Sequence, residues 1–217
     1  MADFRWDWID RHSDDIASAT VEHLKLVGMS MALAVAVAIP IAVLVRRRPS
    51  AIAVATGGAT ILYTIPSLAL FAILVSIVGI GPTPAVIGLA AYAVGVLLRN
   101  TLTGLREVPA AALEAARGMG MTGRQMLFRV ELPLAVPGIL TGIRLATIET
   151  VAIATIAVFV AGGGLGELIF TDGIQRDLFL TPIVAGAAVA ILLALMLDVL
   201  LLGVQWLITP WRRKAGT

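Results

Sequence analysis

Residues 109–133 read Pro109-Ala-Ala-Ala-Leu-Glu-Ala-Ala-Arg-Gly-Met-Gly-Met-Thr-Gly-Arg-Gln-Met-Leu-Phe-Arg-Val-Glu-Leu-Pro133. The stretch is too polar to cross a bilayer and too long for a simple turn. On both sides of it the chain becomes apolar in long runs, the mark of membrane spans. The runs predict spans at about 24–45, 51–78, 85–98, 134–160 and 183–208, with a polar connection over 99–133. Composition agrees. Of 217 residues 59% are hydrophobic and only 14% charged, and the mean hydropathy is +0.97. A water-soluble domain of this length needs far more polar surface. The expected architecture is one all-α membrane domain of about five transmembrane helices.

Five spans put the termini on opposite sides, and basic residues assign the sides. Connections 46–50, 99–133 and 209–217 hold Arg46, Arg47, Arg48, Arg99, Arg106, Arg117, Arg124, Arg129, Arg212, Arg213 and Lys214. The opposite side has only Arg5, Arg11, Lys25 and Arg176. The rule therefore predicts an N-terminus outside, a C-terminus inside and a cytoplasmic 99–133 loop. The domain layout is an extracytoplasmic leader at 1–23, a transmembrane domain at 24–208 and a cytoplasmic tail at 209–217. The leader is acidic (Asp3, Asp7, Asp10, Asp14, Asp15, Glu22), the wrong sign for the basic start of a signal peptide. It forms either a short amphipathic helix anchored by Phe4, Trp6, Trp8 and Ile9 or a loose tail. His12 and His23 read as two solvated side chains. There is no cysteine, hence no disulfide framework and no thiolate metal site, and no metal site is expected.

The loop has internal structure. Pro109 suits a first helical turn, and 110–117 are strong helix formers ended by Gly118 and Gly120. Thr122 and Gln125 have capping-box spacing, which starts a second helix expected to stop before Pro133. Two helices in one connection suit an interaction surface better than a passive link.

Within the spans, Glu149 reads two ways: a negative group lining a pathway, or a carboxyl protonated or hydrogen-bonded between helices. Asp198 reads as an interhelical partner or a protonated carboxyl, and Arg144 as a side chain snorkelling to the inner surface. Pro66, with Tyr63, Thr64 and Ser67, marks a kinked or broken second span. Tyr63 can meet a quaternary ammonium through its ring face. Gly138 and Gly142 form a small-xxx-small pair for close helix packing. Gly162, Gly163, Gly164 and Gly166 form an outer turn that is a gate hinge, a docking surface or a plain turn. No G-x-x-x-x-G-K-S/T, H-E-x-x-H or G-x-S-x-G motif is present, so ATP hydrolysis by this chain alone is not expected.

Glu114-Ala115-Ala116, Gly120 and Val130-Glu131-Leu132-Pro133 match the pattern E-A-A-x3-G-x9-I-x-L-P, with Val for Ile. The match resembles the signature of membrane subunits of type I ATP-binding-cassette importers. Tyr63-Thr-Ile-Pro-Ser-Leu-Ala69, Leu98-Arg-Asn-Thr101 and Ala161-Gly-Gly-Gly-Leu-Gly166 extend the likeness to the osmoprotectant branch, which serves glycine betaine, choline and carnitine. Tyr63 replaces a frequent Gln of that branch, and Glu149 an uncharged residue.

The resemblance implies a MetI-like fold in a bacterial cytoplasmic (inner) membrane, with a coupling helix between spans 3 and 4. It implies ATPase coupling through Glu114, Ala115, Ala116, Arg117, Gly118, Gly120, Leu132 and Pro133. Partners would be two ATPase subunits holding ATP and Mg, a second permease subunit, identical or paralogous, and an extracytoplasmic binding protein. The chain itself would be non-catalytic, bind no cofactor and touch lipid but no nucleic acid. Other classes remain open: a permease for another small solute such as an amino acid, an ion-coupled secondary transporter, a membrane enzyme, or an anchor or sensor.

Overall fold

A computed structural model describes residues 4–209. The basic tail from Pro210, with Arg212, Arg213 and Lys214, and residues 1–3 of the leader lie outside the described residues. The order is α1 (Trp6–Arg11), α2 (Ser13–Val45), α3 (Pro49–Thr64), α4 (Ser67–Val78), α5 (Pro82–Arg106), α6 (Ala110–Gly118), α7 (Gly123–Met126), α8 (Leu132–Ala154) and α9 (Leu180–Ile208). Among the described residues there is no strand. Helix α2, helix α5, the run Gly123–Val160 and helix α9 are long and apolar enough to cross a membrane, and α3 with α4 supplies a fifth, bent element.

Helix α5 is the spine. Its Ala85, Leu89, Ala93, Leu97 and Leu98 are all buried. Helix α2 lays Ala34, Ala38 and Ala42, one per turn and each fully buried, into the same cluster. Small side chains at that spacing let the two backbones close up. On the other side, α5 crosses α8 where both carry glycine. A methyl group added at Gly138 would lie 2.7 Å from the Gly104 Cα, and one at Gly142 2.6 Å from the Asn100 Cβ. The Gly138/Gly142 pair thus packs as its spacing predicts. Of the four long spans, α9 is the least buried, as a helix facing lipid or another subunit would be.

Three boundaries differ from the sequence reading. The third span does not end near residue 98: α5 continues to Arg106. Arg99, Asn100 and Thr103 made that stretch look like loop, yet Leu98, Thr101 and Leu102 stay buried on its other face. The second loop helix does not stop before Pro133. Residues 127–131 form a wide π-helical turn that runs on into α8, with Pro133 in the first turn of that helix. A π-turn shifts the bonding register by one residue, so a proline that lacks its N–H is absorbed rather than ending the helix. Finally, the connection after α8 is ordered: Thr155–Val160 is a 3-10 extension and Glu167–Ile174 a second π-helical turn.

The leader is also built into the fold. Trp8 is only 8% exposed and meets Phe179 edge to face at 5.9 Å. The Arg5 N–H donates to the Thr181 hydroxyl oxygen at 2.9 Å. Helix α2 already begins at Ser13, so no break separates leader from span. His23 is not solvated: it is fully buried, its Nε2 3.0 Å from the Val151 carbonyl oxygen.

The glycine crossing can be tested. Gly138→Val should cost about 1–3 kcal/mol by forcing α5 from α8. Gly203→Val, where nothing lies within 4 Å, should cost little. Thermal unfolding of the two variants in one detergent gives the comparison.

Candidate functional site

Helix α6 is amphipathic. Ala116 is buried and Leu113 packs on the cluster of Val108, Ala135 and Ile139. The opposite stripe, Ala111, Glu114, Ala115 and Gly118, is exposed, at the i, i+3, i+4, i+7 spacing of one helix face. It offers a nearly flat alanine surface with one carboxylate. Glu114 makes no hydrogen bond or ion pair among the described residues, and Arg117 turns instead toward the cavity described below. The helix ends in a Schellman motif: the Met121 N–H donates to the Ala116 carbonyl at 3.1 Å and the Gly120 N–H to the Arg117 carbonyl at 2.9 Å. Gly120 has φ +75°, which a side chain would strain, whereas Gly118 has an ordinary φ and open space. Thr122 and Gln125 form the expected capping box, at 3.3 and 2.8 Å.

Glu131 fastens this loop to the bundle. It is 7% exposed, yet it accepts from Arg46 Nε at 2.6 Å and from an Arg47 guanidinium nitrogen at 2.8 Å. Three basic residues after the first span were legible as a topology signal. Their partner was not, because Glu131 lies 84 or more positions away. Leu132 and Pro133, half-buried, continue from it into α8. Between the loop and the bundle lies a cavity of about 440 Å³, lined by Arg46, Arg47, Arg106, Arg117 and Glu131 among apolar residues.

The second cluster lies at the break between α3 and α4, which meet at 96°. Ile65 is extended (ψ 127°), as residues before proline are. Pro66 caps α4, and its carbonyl accepts from the Leu70 N–H at 3.0 Å. The Tyr92 hydroxyl donates to the Ile65 carbonyl, which the break leaves without a helical partner. Tyr63 meets Tyr92 edge to face at 5.8 Å and is 43% exposed. The break was legible from Pro66; the second aromatic was not, because Tyr92 lies 29 positions after Tyr63 in an ordinary apolar run. Thr64 turns its hydroxyl onto the Ile61 carbonyl, and Ser67 begins α4. Glu149 stands apart on α8. It is half-buried beside exposed Leu145 and Ile148, and makes no hydrogen bond or ion pair among the described residues.

The glycine turn is tightly packed. Gly163 and Gly164 have φ of +74° and +84°. The Gly164 N–H donates to a Glu22 carboxylate oxygen at 3.2 Å. A methyl group on Gly166 would lie 2.0 Å from the Thr155 carbonyl oxygen, and one on Gly162 2.8 Å from the Ala157 Cβ. Nearby Glu167 has its pKa raised by burial, then by the charges of Glu22 and Asp172. Among the described residues no cluster of His, Asp or Glu is placed to hold a metal ion.

Arg144 does not snorkel. Its Nε and one terminal nitrogen bind both oxygens of Asp198, at 2.8 and 2.9 Å. Its remaining nitrogen lies 3.4 Å from Gln205 Oε1, and Gln205 Nε2 lies 3.3 Å from the Pro137 carbonyl. The network joins α8 to α9.

Residues 28–214 match the family described as binding-protein-dependent transport system inner membrane component. The chain belongs to that family. It is 36% identical over 204 residues to the glycine betaine/carnitine/choline transport system permease protein OpuCB of Bacillus subtilis, covering 94% of this chain and 93% of that one. It is 38% identical over 200 residues to the osmoprotectant import permease protein OsmW of Salmonella typhimurium, covering 90% and 92%. An inward-facing structure of the MetNI methionine ABC transporter aligns with TM-score 0.78 at 24% identity, over 89% of this chain and 96% of that one. An amino acid ABC transporter crystallised with histidines aligns with TM-score 0.76 at 20% identity, over 94% and 98%. These two show the fold, which is MetI-like. The protein is thus the inner-membrane component of a binding-protein-dependent importer, a role implying an ATPase and a binding protein as partners.

Two ion-pair predictions follow from the permease's geometry. Glu131→Ala leaves two guanidinium groups facing each other and should cost about 3 kcal/mol; limited proteolysis should then cut within 107–131. Arg144→Leu alone should destabilise by a similar amount, whereas Arg144→Leu with Asp198→Leu should recover most of the loss, because no buried charge is left unpaired. Melting temperatures of the single and double variants decide it.

Proposed function

We propose that this permease forms, as a pair of subunits, the translocation pathway of an ATP-driven importer for quaternary-ammonium compatible solutes such as glycine betaine, choline and carnitine. The loop lies in the cytoplasm and the N-terminus outside, as the distribution of basic residues requires. The exposed Ala111–Glu114–Ala115–Gly118 stripe of α6 is the observation that carries the coupling role. Its inner side is fixed by Ala116 and, through the π-turn, by Glu131, so a push on the helix reaches α8 and α2 together. Glu114 pairs with a basic residue of the ATPase, and small alanines let the helix enter a groove. Arg117 and Gly118 complete the contact, and Gly120 sets the angle to α7. Two ATPase subunits hold the ATP and Mg; this chain contributes no catalytic group. Whether the second permease subunit is identical or paralogous, its contribution completes a pathway that one bundle of this size does not enclose.

The substrate class rests on the similarity to permeases named for these solutes and on the exposed ring of Tyr63, which buried Tyr92 holds edge to face and which suits a trimethylammonium group. Glu149 would add negative charge along the path, and Pro66 with Thr64 and Ser67 the polar backbone there. The glycine turn at 162–166 is itself mostly buried and lies on the outer side, where it presents the exposed Ala161 and Glu167 at its two ends as a docking surface for the binding protein.

Gly120→Asp should reduce ATPase co-purification at least tenfold, because φ +75° is strained for a side chain, while Gly203→Ala, in open space on α9 away from the loop, should leave it intact. Undiminished assembly in Gly120→Asp sinks the coupling role. Uptake of radiolabelled betaine and choline, lost when the partner's ATPase site is mutated, tests the substrate. Accumulation of an amino acid instead overturns the substrate class alone.

A further inference from the structure

The cavity of about 440 Å³ between the loop and the bundle is lined by Arg46 and Arg47 after α2, Arg106 at the end of α5, Arg117 on α6, and Glu131. Glu131 accepts one hydrogen bond from Arg46 and one from Arg47, so both its oxygens are filled. Arg106 and Arg117 are exposed and make no hydrogen bond or ion pair among the described residues. Arg47 gives Glu131 one of its nitrogens, and its side chain stays 54% exposed. Helices α2 and α5 both end here, and each C-terminus carries about half a negative charge. With these and Glu131 set against four guanidinium groups, an excess of about two positive charges remains.

The rest of the lining is apolar. Leu105 of α5, Val108 and Leu113 of α6 border the same space, and Val108 is buried in a cluster with Ala135 and Ile139. A bare ion gains nothing from such a wall, whereas an anion with a hydrocarbon tail satisfies both halves. The volume lies within the range of small-ligand sites, roughly 300–1,000 Å³. The depth is that of a headgroup layer. Helix α5 has 25 residues, about 37 Å of length, so its end passes beyond a hydrocarbon core about 30 Å thick. The cavity also lies on the bundle side of α6. Leu113 and Arg117 are one turn apart on its flank, while the Ala111–Glu114–Ala115–Gly118 stripe is exposed on the far side. A partner seated on that stripe does not need the cavity.

We propose that this cavity is a phosphate site, filled in the membrane by the headgroup of an anionic phospholipid from the leaflet that meets the loop. Guanidinium groups bind phosphate oxygens in pairs through their forked donors and never lose their charge. Basic pockets at the ends of membrane helices hold such headgroups. The apolar wall of Leu105, Val108 and Leu113 takes the start of the acyl chains. The donors come from α2, α5 and α6, so one bound phosphate adds a second tie between loop and bundle beside the Glu131 clamp. The assignment depends neither on the solute carried nor on which side of the membrane the loop faces.

Titration of short-chain lipids into the permease assembled with its ATPase, in detergent, tests the site. The parent should bind dioctanoyl phosphatidylglycerol at least tenfold more tightly than dioctanoyl phosphatidylcholine, inorganic phosphate or glycerol phosphate. Arg106→Glu should weaken phosphatidylglycerol binding at least tenfold, and Arg106→Lys by no more than about threefold. Arg106 has no partner to lose, so both variants should melt within a few degrees of the parent when free of lipid. Arg129→Glu makes the same charge change on an exposed loop residue that does not line the cavity, and should keep the affinity within about threefold. Equal weakening by Arg106→Glu and Arg129→Glu overturns the cavity and leaves only diffuse surface charge. Phosphatidylglycerol bound no more tightly than phosphatidylcholine overturns the lipid. Inorganic phosphate or glycerol phosphate bound as tightly as phosphatidylglycerol, and lost in Arg106→Glu, also overturns the lipid but keeps the phosphate site. Binding to the permease alone that vanishes when the ATPase is added gives the cavity to an acidic group of the ATPase and overturns the proposal.

Discussion

The carboxylate of Glu131 is the point through which the loop is joined to the membrane domain. It is nearly buried and holds two arginines from the end of α2. A charge in that position is costly unless its oxygens are filled, and here both are. The consequence is geometric. Helices α6 and α7 cannot tilt freely, because the π-turn that follows them is tied to α2 and is continuous with α8. Helices α2 and α8 are also the two helices packed on either side of α5. A force applied at α6 is therefore delivered to the centre of the bundle rather than lost in a flexible connection.

The same requirement, that polar groups in an apolar bundle find partners, explains several unrelated-looking details. The break at Pro66 frees the Ile65 carbonyl, and the Tyr92 hydroxyl takes it. In α8 the Pro137 carbonyl receives both the Thr141 hydroxyl at 2.9 Å and the Gln205 amide of α9 at 3.3 Å. Threonines along the spans turn back onto carbonyls three or four residues earlier, as Thr147 does onto Ile143 at 2.8 Å. Only the His23 Nδ1 and the Thr101 hydroxyl are buried without a partner among the described residues. His23 Nδ1 lies against Gly164, where a methyl group would come within 3.0 Å of it. The turn's glycines thus make room for the leader-side helix. That gives them a packing role in addition to conformational freedom.

Much of the architecture was legible from short-range patterns. Apolar runs gave the spans, Pro66 the break, Thr122 and Gln125 the cap, and Gly120 the left-handed turn. Each of these is a local rule, decided within one or two helical turns. The errors lie where a local rule met a tertiary one. Arg99 and Thr103 looked like loop because their polar face was counted and their buried face was not. Pro133 looked like a stop because a π-turn, which no single residue announces, absorbed it. His23, Trp8 and Arg144 were each read as polar or interfacial by type, and each found a partner far along the chain. Of the site, the coupling stripe was readable because it depends on one helix. The Tyr63–Tyr92 pair and the Glu131 clamp were not, because each joins separate elements.

Two arginines show what partner geometry adds to residue type. Arg144 and Arg99 both lie within helices long enough to span, and both are costly there. Arg144 is matched edge for edge by a carboxylate, and Gln205 takes part of what is left. Its charge is consumed by the fold, and replacing the pair together with apolar residues would remove little but the pair itself. Arg99 has one long bond to a hydroxyl. A fold that needed only stability would have matched it, as it matched Arg144, or replaced it. The Arg99 guanidinium is left exposed beside α3, so two arginines of one type differ by what the neighbouring helix offers each of them.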